Sequence, residues 1–230
     1  MISSELKKKL IFAIWKLFPR DIVNIVIDES KSSFGRLFSK PLVTTNEHNF
    51  FNFGCGESPV SGFINVDFYS TFGNKYLDYQ VDFRYPLKIA DEVADGIFTE
   101  HMVEHLSYDE AQVFFKECHR ILKKNGVLRV ICPDVSKFIQ AYVSPETHQD
   151  FLKSEAPLTT TPMEALSDIT QGWDHKSAWD FDTMSLYMKR AGFSETINCS
   201  FAQGRLDMLL VDKKERERQS LYVEAVKSDS

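Results

Sequence analysis

Phe50-Phe51-Asn52-Phe53-Gly54-Cys55-Gly56-Glu57-Ser58-Pro59, followed closely by Ile64-Asn65-Val66-Asp67, decides how this chain is read. An apolar run of β-formers breaks at two glycines one residue apart, and a second short apolar run ends on a carboxylate. The pattern predicts strand, glycine turn, strand, acid. Such a turn lets backbone approach a ligand at the carboxyl end of one parallel strand, and the acid at the end of the next strand suits a ribose diol. The expected ligand is a nucleoside.

The residues after the turn narrow the choice. A dinucleotide site needs a third glycine and a full helix whose N-terminus faces the pyrophosphate. Here the turn runs on into Glu57, Ser58 and Pro59, and the next strand comes too soon for such a helix at ~1.5 Å rise per residue. S-adenosylmethionine carries a ribose and an adenine but no phosphate, so it fits better.

The segments FNFGCGESPVSGFINVDFY, VADGIFTEHMVEHL, ECHRILKKNGVLRVICPD and HKSAWDFDTMSLYMKRAGF, with SLYVEAVK at the end, resemble the class I S-adenosylmethionine-dependent methyltransferases. They are most similar to the small bacterial branch associated with surface-polysaccharide pathways. The likeness runs over roughly residues 48 to 227. It implies a doubly wound, Rossmann-like α/β fold with a seven-stranded, mostly parallel sheet in order 3-2-1-4-5-7-6, the last strand antiparallel.

The residues themselves predict strands near 49–53, 63–67, 78–82, 94–98, 126–132, 195–202 and 220–227, with helices near 107–123, 134–142 and 181–191. A further short strand is expected at Ile22 to Ile27. Asn125-Gly126 is read as closing the helix before it, with glycine supplying left-handed geometry. The last two strands are joined by the polar stretch Gly204 to Gln219, which shows no apolar face for a crossover, so they should form a hairpin. Residues 144–180 contain Pro145, Pro157 and Pro162 and read as a partly helical insertion over the ligand face.

The chain of 230 residues, 43% hydrophobic, suits one methyltransferase domain over 48–230 preceded by an N-terminal helix and approach segment over 1–47. A net charge of −6 argues against general nucleic acid binding, which depends on many cationic phosphate contacts. Cys55, Cys118, Cys132 and Cys199 are scattered without a CxxC pair and read as reduced, structural thiols of a cytoplasmic protein. Lys7 to Lys9 before Leu10–Trp15 superficially resemble a signal sequence, but Lys16 interrupts the run, no small-residue cleavage site comes after it, and the run is far short of the ~20 residues that span a bilayer. Leu6, Leu10, Ile14, Leu17 and Phe18 recur at helical spacing instead. That amphipathic helix is expected to pack on the domain, on a second subunit, or peripherally on the inner membrane.

For the site, Gly54, Cys55 and Gly56 are expected at the methionine end of the cofactor and Asp67 on the ribose hydroxyls. The resemblance places Asp82 on the adenine amino group, with Phe83 offering a backbone amide or ring face; Phe68, and Tyr69 after it, could pack on the adenine. Glu100 and His101 are expected at the strand mouth beside the reactive methyl. If the acceptor is a hydroxyl, a base must take its proton, and the candidates are His101, His175 and Asp134, the last equally suited to cap a helix. Trp173 and Trp179 flank His175 and could stack on a sugar. His101-Met102-Val103-Glu104-His105 matches an inverted zinc-peptidase motif, but that reading needs the motif in mid-helix, and here it closely follows a strand, so no metal is expected.

The function expected is O-methylation of a sugar or sugar-containing intermediate of cell-surface glycan synthesis. A small-molecule O- or N-methyltransferase unrelated to glycans is the rival enzyme. A cofactor-binding but inactive regulatory subunit is the rival of another class; intact glycines and Asp67 count against it.

Overall fold

The computed structural model describes residues 20–44, 48–68 and 77–228. The expected helix over 2–18 and Tyr69 lie outside them. Strands β1 (Phe50–Phe53), β2 (Ile64–Phe68), β3 (Tyr79–Val81), β4 (Ala94–Glu100), β5 (Leu122–Pro133), β6 (Glu195–Cys199) and β7 (Ser220–Val226) form one sheet in the order β3-β2-β1-β4-β5-β7-β6. The first five run parallel, while β7 is antiparallel to both β5 and β6. The expected order and the terminal hairpin are both present.

Alternation along β1 assigns the two faces. Phe51 and Phe53 are fully buried in the main core with Phe83, Phe114, Phe115, Trp179, Met184 and Met188. The last five of these place helices α2 (Tyr108–Ile121) and α6 (Phe181–Arg190), together with Trp179 just before α6, against that face. Phe50 faces a second cluster with Phe63, Phe98, Ile131 and Tyr222. That cluster also takes Leu206, Leu209 and Val211, so the connection from β6 to β7 is less polar in effect than its charged residues suggest. Buried Arg129 fastens this connection: its guanidinium donates to Asp212 at 2.8 and 2.5 Å, to Glu224 at 3.0 Å and to the Gln203 carbonyl at 3.0 Å. All three charged side chains are fully buried, and removing one partner of such a set leaves an uncompensated charge at a cost of about 3–5 kcal/mol.

Three expectations are corrected. Residues Ile22 to Ile27 form no strand; they belong to α1 (Arg20–Phe38). Ile22, Ile25 and Val26 also stand at helical spacing, and the helix is tied to the β3 end of the sheet by Ser32 and Glu29, which meet Asp82 and Arg84. A β-branched run alone cannot separate the two readings. Second, α2 ends at Ile121 and β5 starts at Leu122, so Asn125-Gly126 lies inside an irregular strand start. Asn125 takes the left-handed conformation (φ 60°), while Gly126 is needed because a Cβ would stand 2.9 Å from the Lys123 carbonyl. Third, Trp179 is buried between Tyr108, Phe115 and Tyr187 and offers no face to a ligand.

The insertion is helical in part, as read. Helices α3 (Val135–Val143), α4 (Gln149–Glu155) and α5 (Pro162–Gln171) share a small core of Phe138, Phe151, Ala165 and Ile169. A Thr161–Glu164 capping box, with Pro162 at the first turn, starts α5. No helix among the described residues is long and apolar enough to cross a membrane.

Candidate active site

Two clefts meet at the carboxyl ends of β1, β2 and β4. The first, of about 760 Å³, is lined by Gly54, Gly56, Asp67, Phe68, Asp82, Phe83, His101 and Met102, with Ile25, Asp28 and Glu29 of α1 across the opening. Ligand pockets commonly run ~300–1,000 Å³, so a nucleoside cofactor is accommodated. No helix separates β1 from β2. Instead Asn52 and Asn65, both buried, lace the turn: Asn52 Nδ2 donates to the Ser58 carbonyl and to Asn65 Oδ1, which also accepts from Val60 N at 2.8 Å. These two asparagines fix the turn and were not singled out in the sequence; their alternation with the buried Phe51, Phe53 and Val66 is the signal that could have found them.

Within the turn the glycines differ. Gly54 has φ 72°, and a Cβ there would stand 2.4 Å from Met102 Cγ, so its backbone is in close contact with the chain after β4. Gly56 has φ 51°, and its Cβ direction is open. Cys55 does not line the cleft; it is buried, and burial, then the Asp67 charge, pushes its thiol up to about 11. The Cys55 side chain therefore turns away from the cleft, and only its main chain stands at the turn.

The two acids are also unlike. Asp67 accepts from the Gly56 and Phe68 amides, so the carboxylate is anchored to the turn; a carboxylate has about four acceptor positions, and those left over can take ribose hydroxyls. Asp82 is nearly fully buried, and all of that capacity goes to protein: Oδ1 accepts from Arg84 N (3.0 Å) and Nε (2.9 Å), Oδ2 from an Arg84 terminal nitrogen (2.7 Å) and from Ser32 Oγ. Burial alone would raise this carboxyl, but the hydrogen bonds from Arg84 and Ser32 outweigh it and hold it below the ordinary range. Asp82 therefore positions α1 and the start of the β3 loop. The Phe83 ring is likewise part of the core, packed on Phe53 and Phe114 at 5.3 and 5.6 Å between centroids, which leaves its backbone for the adenine end.

Glu100 and Asp134 leave the cleft as well. The Glu100 carboxylate accepts from Lys213 N at 3.2 Å and lies 3.6 Å from its ammonium, against the β6–β7 connection. Asp134 caps α3, accepting from Ser136 N at 3.1 Å and Ser136 Oγ at 2.6 Å. Neither lines either cleft.

The second cleft, of about 500 Å³, lies under the insertion and is lined by His101, Glu104, His105, Thr159, Asp168, Trp173, His175 and Gln219, among others. His101 and His105 border both clefts. His101 has φ 53°, with Nε2 3.0 Å from Ser220 Oγ and Nδ1 3.3 Å from Glu104 Oε1. Glu104 Oε1 makes no hydrogen bond with that nitrogen. His175 is held by its Nδ1, 2.7 Å from the Ile169 carbonyl, and its ring meets that of His105 edge to face at 5.0 Å. Burial lowers the His105 imidazole from its usual range, with Glu104 opposing and His175 adding to the shift. Trp173 and Asp174, just before His175, both take left-handed backbone (φ 58° and 62°), a conformation that costs non-glycine residues of order 1–3 kcal/mol each. With His101, three such residues converge on the clefts.

The methyltransferase-domain family matches residues 67–130, from Asp67 through the middle of β5. Among solved structures, an S-adenosylmethionine-dependent methyltransferase from Thermotoga maritima, described as a possible histamine N-methyltransferase, superposes with a TM-score of 0.52 at 15% identity over 86% of this chain and 88% of that one. A methyltransferase from Archaeoglobus fulgidus gives 0.48 at 15% identity over 88% and 93%. The CurJ carbon methyltransferase gives 0.47 at 10% identity over 82% of this chain, which spans half the length of that protein. No curated protein matches the sequence. The sheet order is that of the Rossmann-like methyltransferase fold, and a methyltransferase domain model matches residues 67–130 within it.

Proposed function

We propose that the chain methylates an oxygen of a sugar or sugar-containing intermediate in cell-surface glycan synthesis. The observation that carries this reading is the junction at His101: the cofactor cleft opens into a second cleft lined by Thr159, Asp168 and Gln219 and by the largely exposed ring of Trp173, a lining suited to a polyhydroxylated acceptor. The sequence resemblance to polysaccharide-pathway methyltransferases supports the same acceptor class.

S-adenosylmethionine supplies a methyl already activated by its sulfonium. The protein must align the acceptor, exclude water and receive one proton. Gly54 and Gly56 bring backbone to the methionine end, Asp67 takes the ribose, and the Phe83 main chain with Phe68 faces the adenine. The insertion closes over the acceptor. His101 is the base, its Nε2 receiving the hydroxyl proton. His175, held by the Ile169 carbonyl, positions the acceptor from the insertion side.

The test is incubation of the full chain with methyl-labelled S-adenosylmethionine and a panel of nucleotide sugars and surface-glycan fragments. A labelled methyl ether on a sugar is expected. Transfer only to amines or to non-glycan small molecules, or cofactor binding without transfer to any sugar, would contradict the proposal.

A further inference from the structure

Among the described residues, Glu104 is the charged side chain whose buried oxygens lack partners. It is 2% exposed, and neither side-chain oxygen has a hydrogen-bond partner among the described residues. The 3.3 Å approach of His101 Nδ1 does not meet Oε1 in hydrogen-bonding geometry. Its main-chain carbonyl, by contrast, accepts from Lys176 N at 2.8 Å and Ser177 N at 3.2 Å, which clamps the insertion onto the segment after β4. That clamp delivers His175 to His105. One ligand atom from each of Glu104, His105 and His175 lies within 4.8 Å of the other two.

We propose that Glu104, His105 and His175 bind one divalent transition-metal ion of the zinc type at the border of the two clefts. Two imidazoles and one carboxylate are the donor set of zinc sites that keep a position open for a ligand. Tetrahedral donors ~2.1 Å from zinc stand roughly 3.4 Å apart, so the three side chains need to close by about an ångström. His175 is already oriented for this: Nδ1 donates to the Ile169 carbonyl, which leaves the Nε2 lone pair for the ion, the outer hydrogen bond that metal-ligating histidines usually make. An ion would also neutralise the buried carboxylate, whose unpaired state is otherwise costly. The strained Trp173–Asp174 backbone that presents His175 is the kind of geometry retained at ligand sites. The sequence motif HxxEH pairs His101 with His105, but His105 ends a single 3-10 turn, Val103–His105, with His101 before it, and the partner of His105 comes from the insertion. The metal set is therefore not legible from the motif.

The role of the ion rests on the methyl-transfer reading. All three residues line the second cleft, where an ion held by them would polarise an acceptor hydroxyl. The hydroxyl proton passes to His101 Nε2, the oxygen bonds the methyl carbon, and the carbon–sulfur bond breaks with its electron pair remaining on sulfur.

The experiment is titration of tag-free, chelator-stripped full chain with zinc chloride against a chromogenic chelator. One equivalent should bind, with magnesium and calcium, which prefer oxygen ligands, failing to compete. Glu104→Gln, His105→Ala and His175→Ala should each weaken zinc binding by roughly 100-fold or more, since changes behind the ligands alone cost 10–100-fold. His48→Ala, an exposed histidine at the other end of β4, should leave it unchanged. Absence of a stoichiometric zinc site, equal competition by magnesium, or wild-type affinity in all three ligand variants would overturn the proposal. A parallel thermal shift with S-adenosylhomocysteine separates the two readings. A shift without zinc binding removes only the metal; zinc bound at these residues without any shift keeps the metal and removes the methyltransferase reading.

Discussion

The cofactor cleft takes Gly54, Gly56 and Asp67 from one short stretch, whereas the second cleft takes Glu104, His105 and His175 from segments far apart in the chain. The first is built by adjacent parallel strands whose ends must lie side by side, so its geometry is set once β1 and β2 are paired in register. The second exists only because Lys176 N and Ser177 N bind the Glu104 carbonyl and carry His175 across the sheet end. Cofactor binding and acceptor chemistry should accordingly be separable by mutation, with His101 as the residue where they meet.

The largest effect is expected there. His101→Ala should lower turnover by about 10²–10⁴ and leave S-adenosylhomocysteine affinity nearly unchanged, because the lost function is proton transfer. Equal loss of both, in single-turnover kinetics and calorimetry, would join the two clefts into one binding unit. His175→Ala should raise the Michaelis constant for the acceptor and, where zinc polarises the acceptor hydroxyl, lower turnover as well, with S-adenosylhomocysteine affinity unchanged.

Next come the two acids. Asp67→Asn should weaken cofactor binding by about ten- to a hundredfold, or roughly 1.5–3 kcal/mol, with the fold intact. Asp82→Asn should do the reverse, lowering the melting temperature while cofactor affinity changes little, since Arg84 and Ser32 hold both of its oxygens. A strong binding defect in Asp82→Asn would restore the adenine role that the sequence suggested.

The same contrast decides how far each region could be read from sequence. The seven strands, their order and the glycine–acid pair were legible because they depend on local periodicity and on neighbouring strands. Asp82 and Glu100 were placed by position along a strand, and their carboxylates turn instead to Arg84 and Lys213, while Asp134 takes the helix-capping role that was its alternative reading. Position along a strand gives where the Cα stands; it does not give which long-range donor claims the side chain. For α1, the β-branched residues Ile22, Ile25 and Val26 suit either period, and only the polar partners Ser32–Asp82 and Glu29–Arg84 show what the helix packs on.

The glycines offer a smaller and sharper test. Gly54→Ala combines positive φ with a collision on Met102 and should destabilise the fold by roughly 1–3 kcal/mol, whereas Gly56→Ala meets open space and should cost less stability. Thermal melts of the two variants would rank them. The smallest expected effect is in acid. Because the Asp82 carboxyl is held below its ordinary value, its contribution to stability is complete above the unfolded value near ~3.9 and is lost as pH falls through the folded one. Asp82→Asn should flatten the stability profile below about pH 4, measured by denaturant titration at successive pH values.

The most direct test of the central claim is calorimetric titration of the full chain with S-adenosylhomocysteine and, separately, with NAD. One equivalent of S-adenosylhomocysteine should bind, and at ~100 times its dissociation constant it should add about 2.7 kcal/mol of stability. For a chain of this size that is a rise in melting temperature of about 5–10 °C. NAD should bind no tighter than buffer controls, and Asp67→Asn should lose most of the S-adenosylhomocysteine signal. No binding, or equal binding of the two nucleotides, would contradict the assignment of the glycine turn and Asp67 as a methyl-donor site.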